Sequence, residues 1–277
     1  MGGGPFWAVF HRMQFVPKTT PTRPDITRSL HRAVGLLRLL AGHTRIGWRL
    51  SDLAKHAELD PATVHRLLTG LCDAGLATRV PGSKHYTLGP LAFELGLAAA
   101  PYFDLGRLAH ARLAVLATEL HGTIFLKIRS GVESVCLARH DGAGPVPSLM
   151  LDVGGRRPLC LTAGGVAMLL ALPPAEQTRI EVDNQRTIDQ QETMRWTGVS
   201  RMLVRSRELG YALNLGDIAT GISAVSVAIP TDGQAPVTSV TLALAGTALT
   251  ESTAADLAAR LRLEASAMAP MLMQLRL

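Results

Sequence analysis

The most restrictive stretch of this chain is Asp60-Pro61-Ala62, which precedes an apolar spacing of Val64, Leu67, Leu68 and Leu71 and is closed by Gly75. An aspartate before a helix accepts hydrogen bonds from first-turn amides, and proline suits the first helical position, where its missing N–H would have no partner. Glycine then stops the helix. The spacing predicts a helix over 61–74 that buries one stripe and turns Ala62, Thr63, His65, Arg66 and Thr69 outward. Upstream, Ser51 reads as the N-cap of a short helix to Ala57 that buries Leu53, Ala54 and Ala57. Before it, Leu30, Ala33, Val34, Leu37, Leu40 and Ala41 describe a helix from Ile26 to Gly42. Downstream, residues 76–80 and 84–88 read as two strands around Pro81-Gly82-Ser83. Three helices followed by a hairpin predict a winged helix-turn-helix over 26–89, whose helix at 61–74 fits a major groove.

Charge supports that reading. The formal net charge is +6 over 277 residues. Up to Leu88 there are twelve Lys/Arg against five acids, and beyond it sixteen against seventeen. A basic excess confined to one small region is the footprint of a phosphate-backbone binder. Arg28, Arg32, Arg45 and Lys55 are read as general phosphate attraction. Residues 1–25, with three consecutive glycines and a Thr/Pro-rich run, read as a disordered arm, and Met13 is an alternative start.

Gly89-Pro90 breaks the pattern, and a short apolar helix at 91–100 makes 90–103 a candidate linker. The rest, 104–277, alternates differently. A helix is expected from Leu105 to His121, then strands at 123–129, 133–140 and 147–153. Helices follow at 163–172, 174–182 and 199–209, strands at 211–215, 222–229 and 237–245, and a last helix at 251–275. The whole is an α+β chain whose second domain has a central antiparallel sheet.

Several functions are disfavoured. No apolar run approaches the roughly 20 residues of a membrane helix, so no membrane association is expected. Cys72, Cys136 and Cys160 form no C-x-x-C pair and read as reduced, mostly buried thiols rather than a disulfide framework or zinc site. The first five-residue apolar run is broken by His11-Arg12, too early for a secretion signal, so a cytoplasmic location is expected. Nucleotide, hydrolase and metalloprotease motifs are missing, and Glu119, Asp152 and Glu176 fall in no catalytic spacing, so neither enzyme activity, cofactor nor metal is expected.

Together, Thr63-Val-His-Arg-Leu-Leu68, Tyr86-Thr-Leu-Gly89, Gly155-Arg156 with Pro158-Leu159, Thr162-Ala-Gly-Gly165, Gly210-Tyr-Ala212 and Gly221-Ile-Ser-Ala-Val225 resemble the IclR family of bacterial transcriptional regulators. The resemblance covers nearly all of the chain from Ile26. It implies a GAF-like effector-binding domain after the winged helix, a small organic-acid effector, double-stranded operator DNA as partner, assembly as a homodimer or homotetramer, and a bacterial protein held at the nucleoid. Two departures stand out: Glu58 where relatives often have glycine, and Asp60-Pro61-Ala62 where they have Pro-Lys-Ser.

The candidate DNA contacts are Thr63, His65, Arg66 and Thr69 on the helix, Arg79 and Lys84 in the wing, and Ser51. Arg66 can reach a guanine edge or a phosphate, and the wing cations can hold the flanking backbone. His65 is equally readable as solvated or packed on the preceding helix. For an effector, Thr162, Ala163 and Gly164 open a predicted helix whose first-turn amides favour a carboxylate; alternatively Thr162 only caps that helix. The resemblance adds Asn214, Asp217, Ile222 and Ala224. The last strand is ambiguous by one residue: Ser239 and Thr241 are its candidate polar pocket residues, with Ala243 and Ala245 as the alternative match to the places where relatives have serines. Such a pocket is less polar and suits a partly apolar acid. Two rival assignments remain open on the residues: a small-molecule enzyme with an appended DNA-binding module, and a winged helix that docks protein.

Overall fold

In the computed structural model, residues 25–42, 47–103, 105–144, 146, 152–189, 196–231, 238–246 and 249–273 are described. The expected arm lies outside them except for Asp25, which begins the first helix. The described residues divide into two compact units, 25–102 and 103–273.

In the first unit, α1 (Asp25–Ala41), α2 (Leu50–Ala57) and α3 (Pro61–Asp73) pack on one another. Leu36, Leu40, Leu53, Val64 and Leu68 are fully buried at their junction. The predicted stripe of α1 is rotated: Leu30 and Val34 are exposed, while Leu36, Leu39 and Leu40 fill the core. Five leucines, Leu30, Leu36, Leu37, Leu39 and Leu40, lie on overlapping stripes of this helix, so the spacing alone does not fix which stripe faces inward. The start of α2 also differs from expectation. Arg49, not Ser51, occupies the N-cap and makes no side-chain cap. The chain enters α2 directly from a two-residue strand, β1 (Trp48–Arg49), leaving the Ser51 hydroxyl to donate to Asp52 Oδ1 at 3.3 Å.

Glu58 ends α2 in the left-handed region at φ +51°, and the amides of Glu58 and Leu59 close the turn onto the carbonyls of Lys55 and Ala54. Asp60 then starts α3, with Oδ1 accepting from the Thr63 amide at 2.8 Å. Hydrogen bonds from the Thr63 side chain and backbone hold the Asp60 carboxyl below its ordinary range. The wing is β2 (Ala77–Arg79) and β3 (His85–Leu88), joined by β1 in a three-stranded antiparallel sheet of order β1-β3-β2. Trp48 fastens this sheet to α1 through an indole N–H that donates to Leu39 O at 2.8 Å. The last helix of the unit, α4, runs Pro90–Phe103.

The second unit is built on a six-stranded antiparallel sheet of order β6-β5-β4-β9-β8-β7. Its strands are β4 (Thr123–Ser130), β5 (Glu133–Asp141), β6 (Arg156–Pro158), β7 (Ala212–Leu215), β8 (Ile222–Ala228) and β9 (Thr238–Ala245). Side chains alternate between faces along a strand, so the register sorts them. Ile124, Leu242, Val225 and Leu213 lie on one row, and Leu126, Val240 and Val227 on the next. That face is dry and packs on α5 (Leu105–Glu119) and α9 (Glu251–Met273), including Leu113, Leu116 and Leu261. The other face carries α6 (Ala163–Leu170) across β4, β7, β8 and β9. Longer than expected, α7 (Pro174–Asp189) packs on α8 (Trp196–Leu209) and on the 159–161 turn before α6, while α8 flanks β7 and touches α6.

The strand expected at 147–153 is corrected where it is described. Asp152 to Gly155 is a turn, closed by the Gly155 amide on Asp152 O at 2.9 Å, with Gly154 at φ +82°. Only glycine adopts this conformation readily, and the third strand begins after it, at Arg156. Residues 147–151 lie outside the described residues.

A non-glycine residue at positive φ is strained by roughly 1 kcal/mol or more. Glu58→Gly is therefore expected to stabilise the protein by about 0.5–1 kcal/mol, read as a rise of a few degrees in melting temperature.

Candidate functional site

Two sites take shape, one in each unit. In the first, the exposed edge of α3 presents His65, Arg66 and Thr69, with Thr63 half-buried at its start. The Thr69 hydroxyl donates to His65 O at 3.0 Å. In the same unit, a groove forms between the start of α2 and the wing. Arg49, Leu50 and Ser51 line one side, and Arg79, Ser83, Lys84, His85 and Tyr86 the other. The structure thus brings Ser51, Arg79 and Lys84 together from distant positions in the chain. Arg79 Nε donates to Ser83 O at 2.9 Å, so its guanidinium also braces the wing turn. Arg49 was not singled out in the sequence because a two-residue strand gives no periodic signal.

The second site lies on the polar face of the large sheet. Lys127 pairs with Ser239, Phe125 with Thr241 and Thr123 with Ala243; the last two rows continue to Ser226 and Ala224. These side chains share the face that meets α6. Thr162 caps α6 by accepting from the Gly165 amide at 3.0 Å. Gly164 is essential to the close fit: a Cβ there would lie 2.7 Å from Lys127 Cδ, 2.8 Å from Thr241 Oγ1 and 2.9 Å from Ser239 Oγ.

Where α6 begins, a cavity of about 90 Å³ opens. Of the sequence candidates, Thr162, Ala163, Asn214, Ile222, Ala224 and Thr241 line it, and Ala243 lines it as well. Gly164 and Ser239 stand beside it, and Ser239 Oγ is buried without a hydrogen-bond partner. Phe125, Val146, Leu161 and Ile218 make much of the wall apolar.

Asp217 is not part of the lining. Its carboxylate, 4% exposed, meets Arg205 Nη1 at 2.7 Å and Arg201 Nε at 3.4 Å. It also accepts from the Leu215 amide at 3.1 Å, while its own amide donates to Asn214 Oδ1 at 2.9 Å. Burial raises the Asp217 pKa, but the Arg205 hydrogen bond, the Leu215 amide and the positive charge of Arg205 outweigh it and hold the carboxyl below its ordinary 3.8. Asp217 therefore shapes the loop that carries Ile218 and Ala219 into the wall.

The sequence reading missed two cations of this cavity, Lys127 and Arg157. Lys127 is 3% exposed. Burial, with a smaller contribution from Arg157 and an opposing one from Cys136, pushes its ammonium down to about 8. Arg157 donates from Nη1 to Arg156 O at 2.8 Å, and burial, opposed by Glu133, lowers it to about 10. The available signal was strand phase: in Thr123-Ile-Phe-Leu-Lys127, the lysine falls in step with Thr123 and Phe125. Cys136 and Cys160 are buried, and burial raises both thiols, Cys136 to about 11.

Residues 29–81 match the family model described as the IclR helix-turn-helix domain, and residues 98–269 match that of the bacterial transcriptional regulator IclR C-terminal domain. The chain belongs to the IclR family of bacterial transcriptional regulators. As a member of that family it is a regulator rather than an enzyme. Its IclR-family relatives include a glycerol operon regulatory protein of Streptomyces coelicolor, 28% identical over 77% of this chain and 83% of the relative. Another is the transcriptional repressor IclR of Escherichia coli, 22% identical over 81% of this chain and 82% of the relative.

Among solved structures, an IclR-family regulator from Brucella abortus superposes with TM-score 0.69 at 21% identity, covering 92% of this chain and 96% of that one. An IclR homologue from Microbacterium hydrocarbonoxydans, crystallised with 4-hydroxybenzoate, superposes with TM-score 0.64 at 17% identity, covering 88% and 99%. The IclR fold thus accounts for both units: a helix-turn-helix domain and a C-terminal domain built on an antiparallel sheet.

The Asp217 cluster has a pH signature. The folded pKa lies below the unfolded value, so the cluster's stabilisation is complete above the unfolded value and is lost as pH falls through the folded one. At pH 7, Asp217→Asn is expected to cost roughly 3 kcal/mol. The gap between wild type and variant in thermal melts should stay constant from pH 7 to 5 and shrink below about pH 4.

Proposed function

We propose that this regulator binds operator DNA through α3 and the wing, and that a small, partly apolar organic acid held at the start of α6 changes its operator affinity. The observation that carries the reading is the pairing of the two sites. One unit has an exposed helix edge on α3 and a basic groove between the start of α2 and the wing, and in the other a cavity with an apolar wall, hydroxyls and buried cations lies at a helix N-terminus. The co-crystallised 4-hydroxybenzoate of the Microbacterium homologue supports an acid of that type.

In this account Arg66 reads a base edge or a phosphate, Thr63 and His65 add contacts beside it, and Thr69 completes the α3 edge. Arg49, Ser51, Arg79 and Lys84 clamp the flanking backbone. The protein acts as a homodimer or homotetramer whose recognition helices meet half-sites about 34–36 Å apart, or a multiple of that. Phe93, Leu95 and Leu97 on α4 and Leu30 and Val34 on α1 are exposed in the single chain, which supports burial against another copy. With 90–103 as the linker, effector binding alters the half-site spacing, and it does so only through unequal affinity for the two arrangements.

The test is a mobility-shift titration on the upstream intergenic DNA of its own gene across a salt series. Binding should be saturable, fall by about a thousandfold between 50 and 200 mM salt if some six phosphates are contacted, and weaken about tenfold or more in Arg66→Ala. Folded protein that binds no DNA site, neither on this fragment nor in a genome-wide selection, would favour protein docking by the winged helix, whose binding to a protein partner should be insensitive to salt.

A further inference from the structure

Resting on the acid-effector reading, we propose that Lys127 is the anchor of the ligand's carboxylate in this chain and the residue that makes the cavity select an anion over its neutral analogue. The argument starts from cost. A buried ammonium is tolerated when it is paired, and otherwise it destabilises the protein that carries it. Lys127 is 97% buried, lines the cavity and stands next to a second cation, Arg157. Among the described residues its ammonium has no carboxylate in ion-pair range and no hydrogen-bond acceptor; the Phe125 ring centre lies 5.6 Å from Nζ, and the Cys136 thiol and the Arg157 cation are its other electrostatic neighbours.

No carboxylate lines the cavity among the described residues, because Asp217 is turned to Arg205 and Arg201. The missing negative charge therefore has to come from the ligand. Its place is also marked. The Lys127 stem passes Gly164 at the first turn of α6, beside Thr241 Oγ1 and the unpartnered Ser239 Oγ. A carboxylate there receives the ammonium, the serine hydroxyl and the helix N-terminus together. Phe125, Leu161, Ile218 and Ile222 then take the body of the acid, so the class is a compact monocarboxylic acid with an apolar or aromatic body.

This arrangement separates binding from stability. A lysine held for structure weakens the fold when it is replaced, whereas a ligand anchor left unpaired in the empty protein does not. The experiment compares full-length wild type with Lys127→Met, using isothermal titration and thermal melts with benzoate, 4-hydroxybenzoate, 2-methylbutyrate and phenylacetate, and with benzamide as the neutral isostere of benzoate.

The expected result is that at least one acid binds wild type, benzamide does not, and Lys127→Met binds that acid at least about thirtyfold more weakly. The melting temperature of the empty variant should equal or exceed that of wild type. An acid bound equally by both proteins, or a variant that melts lower when empty, would overturn the role of Lys127 while leaving the effector reading in place. A wild type bound by none of the acids would overturn both.

Discussion

The alternation of side chains across β4, β9 and β8 divides the second unit into a structural half and a chemical half. Ile124, Leu242 and Val225 on one row, with Leu126, Val240 and Val227 on the next, give α5 and α9 an apolar surface to close. Burying each such side chain is worth about 1.5–3 kcal/mol. That stabilisation lets the opposite face carry Lys127, Ser239, Thr241, Ser226 and Asn214, all buried polar groups that a minimal core would exclude. A one-residue slip of β4 would exchange the two faces and destroy both. The β4–β5 pairing does contain such a shift, between Leu126 and Lys127, whereas β4 and β9 stay in register through Lys127.

Polar satisfaction on the chemical face is uneven, and the unevenness is informative. Ser226 Oγ donates to Val240 O at 2.8 Å, and Asn214 Nδ2 donates to Ile222 O at 3.3 Å. Asn184 on α7 does similar bracing work, with Oδ1 accepting from the Cys160 amide and Nδ2 donating to Val132 O. Such groups stiffen the frame. Among the described residues, Ser239 Oγ and the Lys127 ammonium, both beside Gly164, are left without a hydrogen-bond partner, and uncompensated buried polar groups mark places where function has outweighed stability.

Much of the first unit was legible because its signals are local. Asp60-Pro61 starts α3 and Pro81-Gly82-Ser83 turns the wing, and each acts within a few residues. The phase of α1 was not legible, since its leucines form two overlapping stripes and only the packing of Trp48 and α3 selects Leu36, Leu39 and Leu40. Two residues, Trp48 and Arg49, are too few to show a strand period. In the second unit the strands were readable to within one or two residues except for the stretch before Arg156, where Gly154 turns the chain. Of the cavity, the α6 start and the strand residues were visible, whereas Lys127 looked like one charge in an ordinary strand. Asp217 looked like a lining residue, because nothing in the sequence announces that Arg205, twelve residues earlier, takes its carboxylate.

The central claim is that occupancy of the α6 cavity and operator affinity are coupled. The most direct test is to measure the operator dissociation constant by fluorescence anisotropy with and without a saturating acid that binds the wild-type protein, and the acid's affinity with and without operator. Thermodynamic linkage requires both to change by the same factor, about 5- to 150-fold for a coupling of 1–3 kcal/mol. Equal, non-unit factors are the predicted result. An acid that saturates the protein yet leaves operator affinity unchanged would contradict the account.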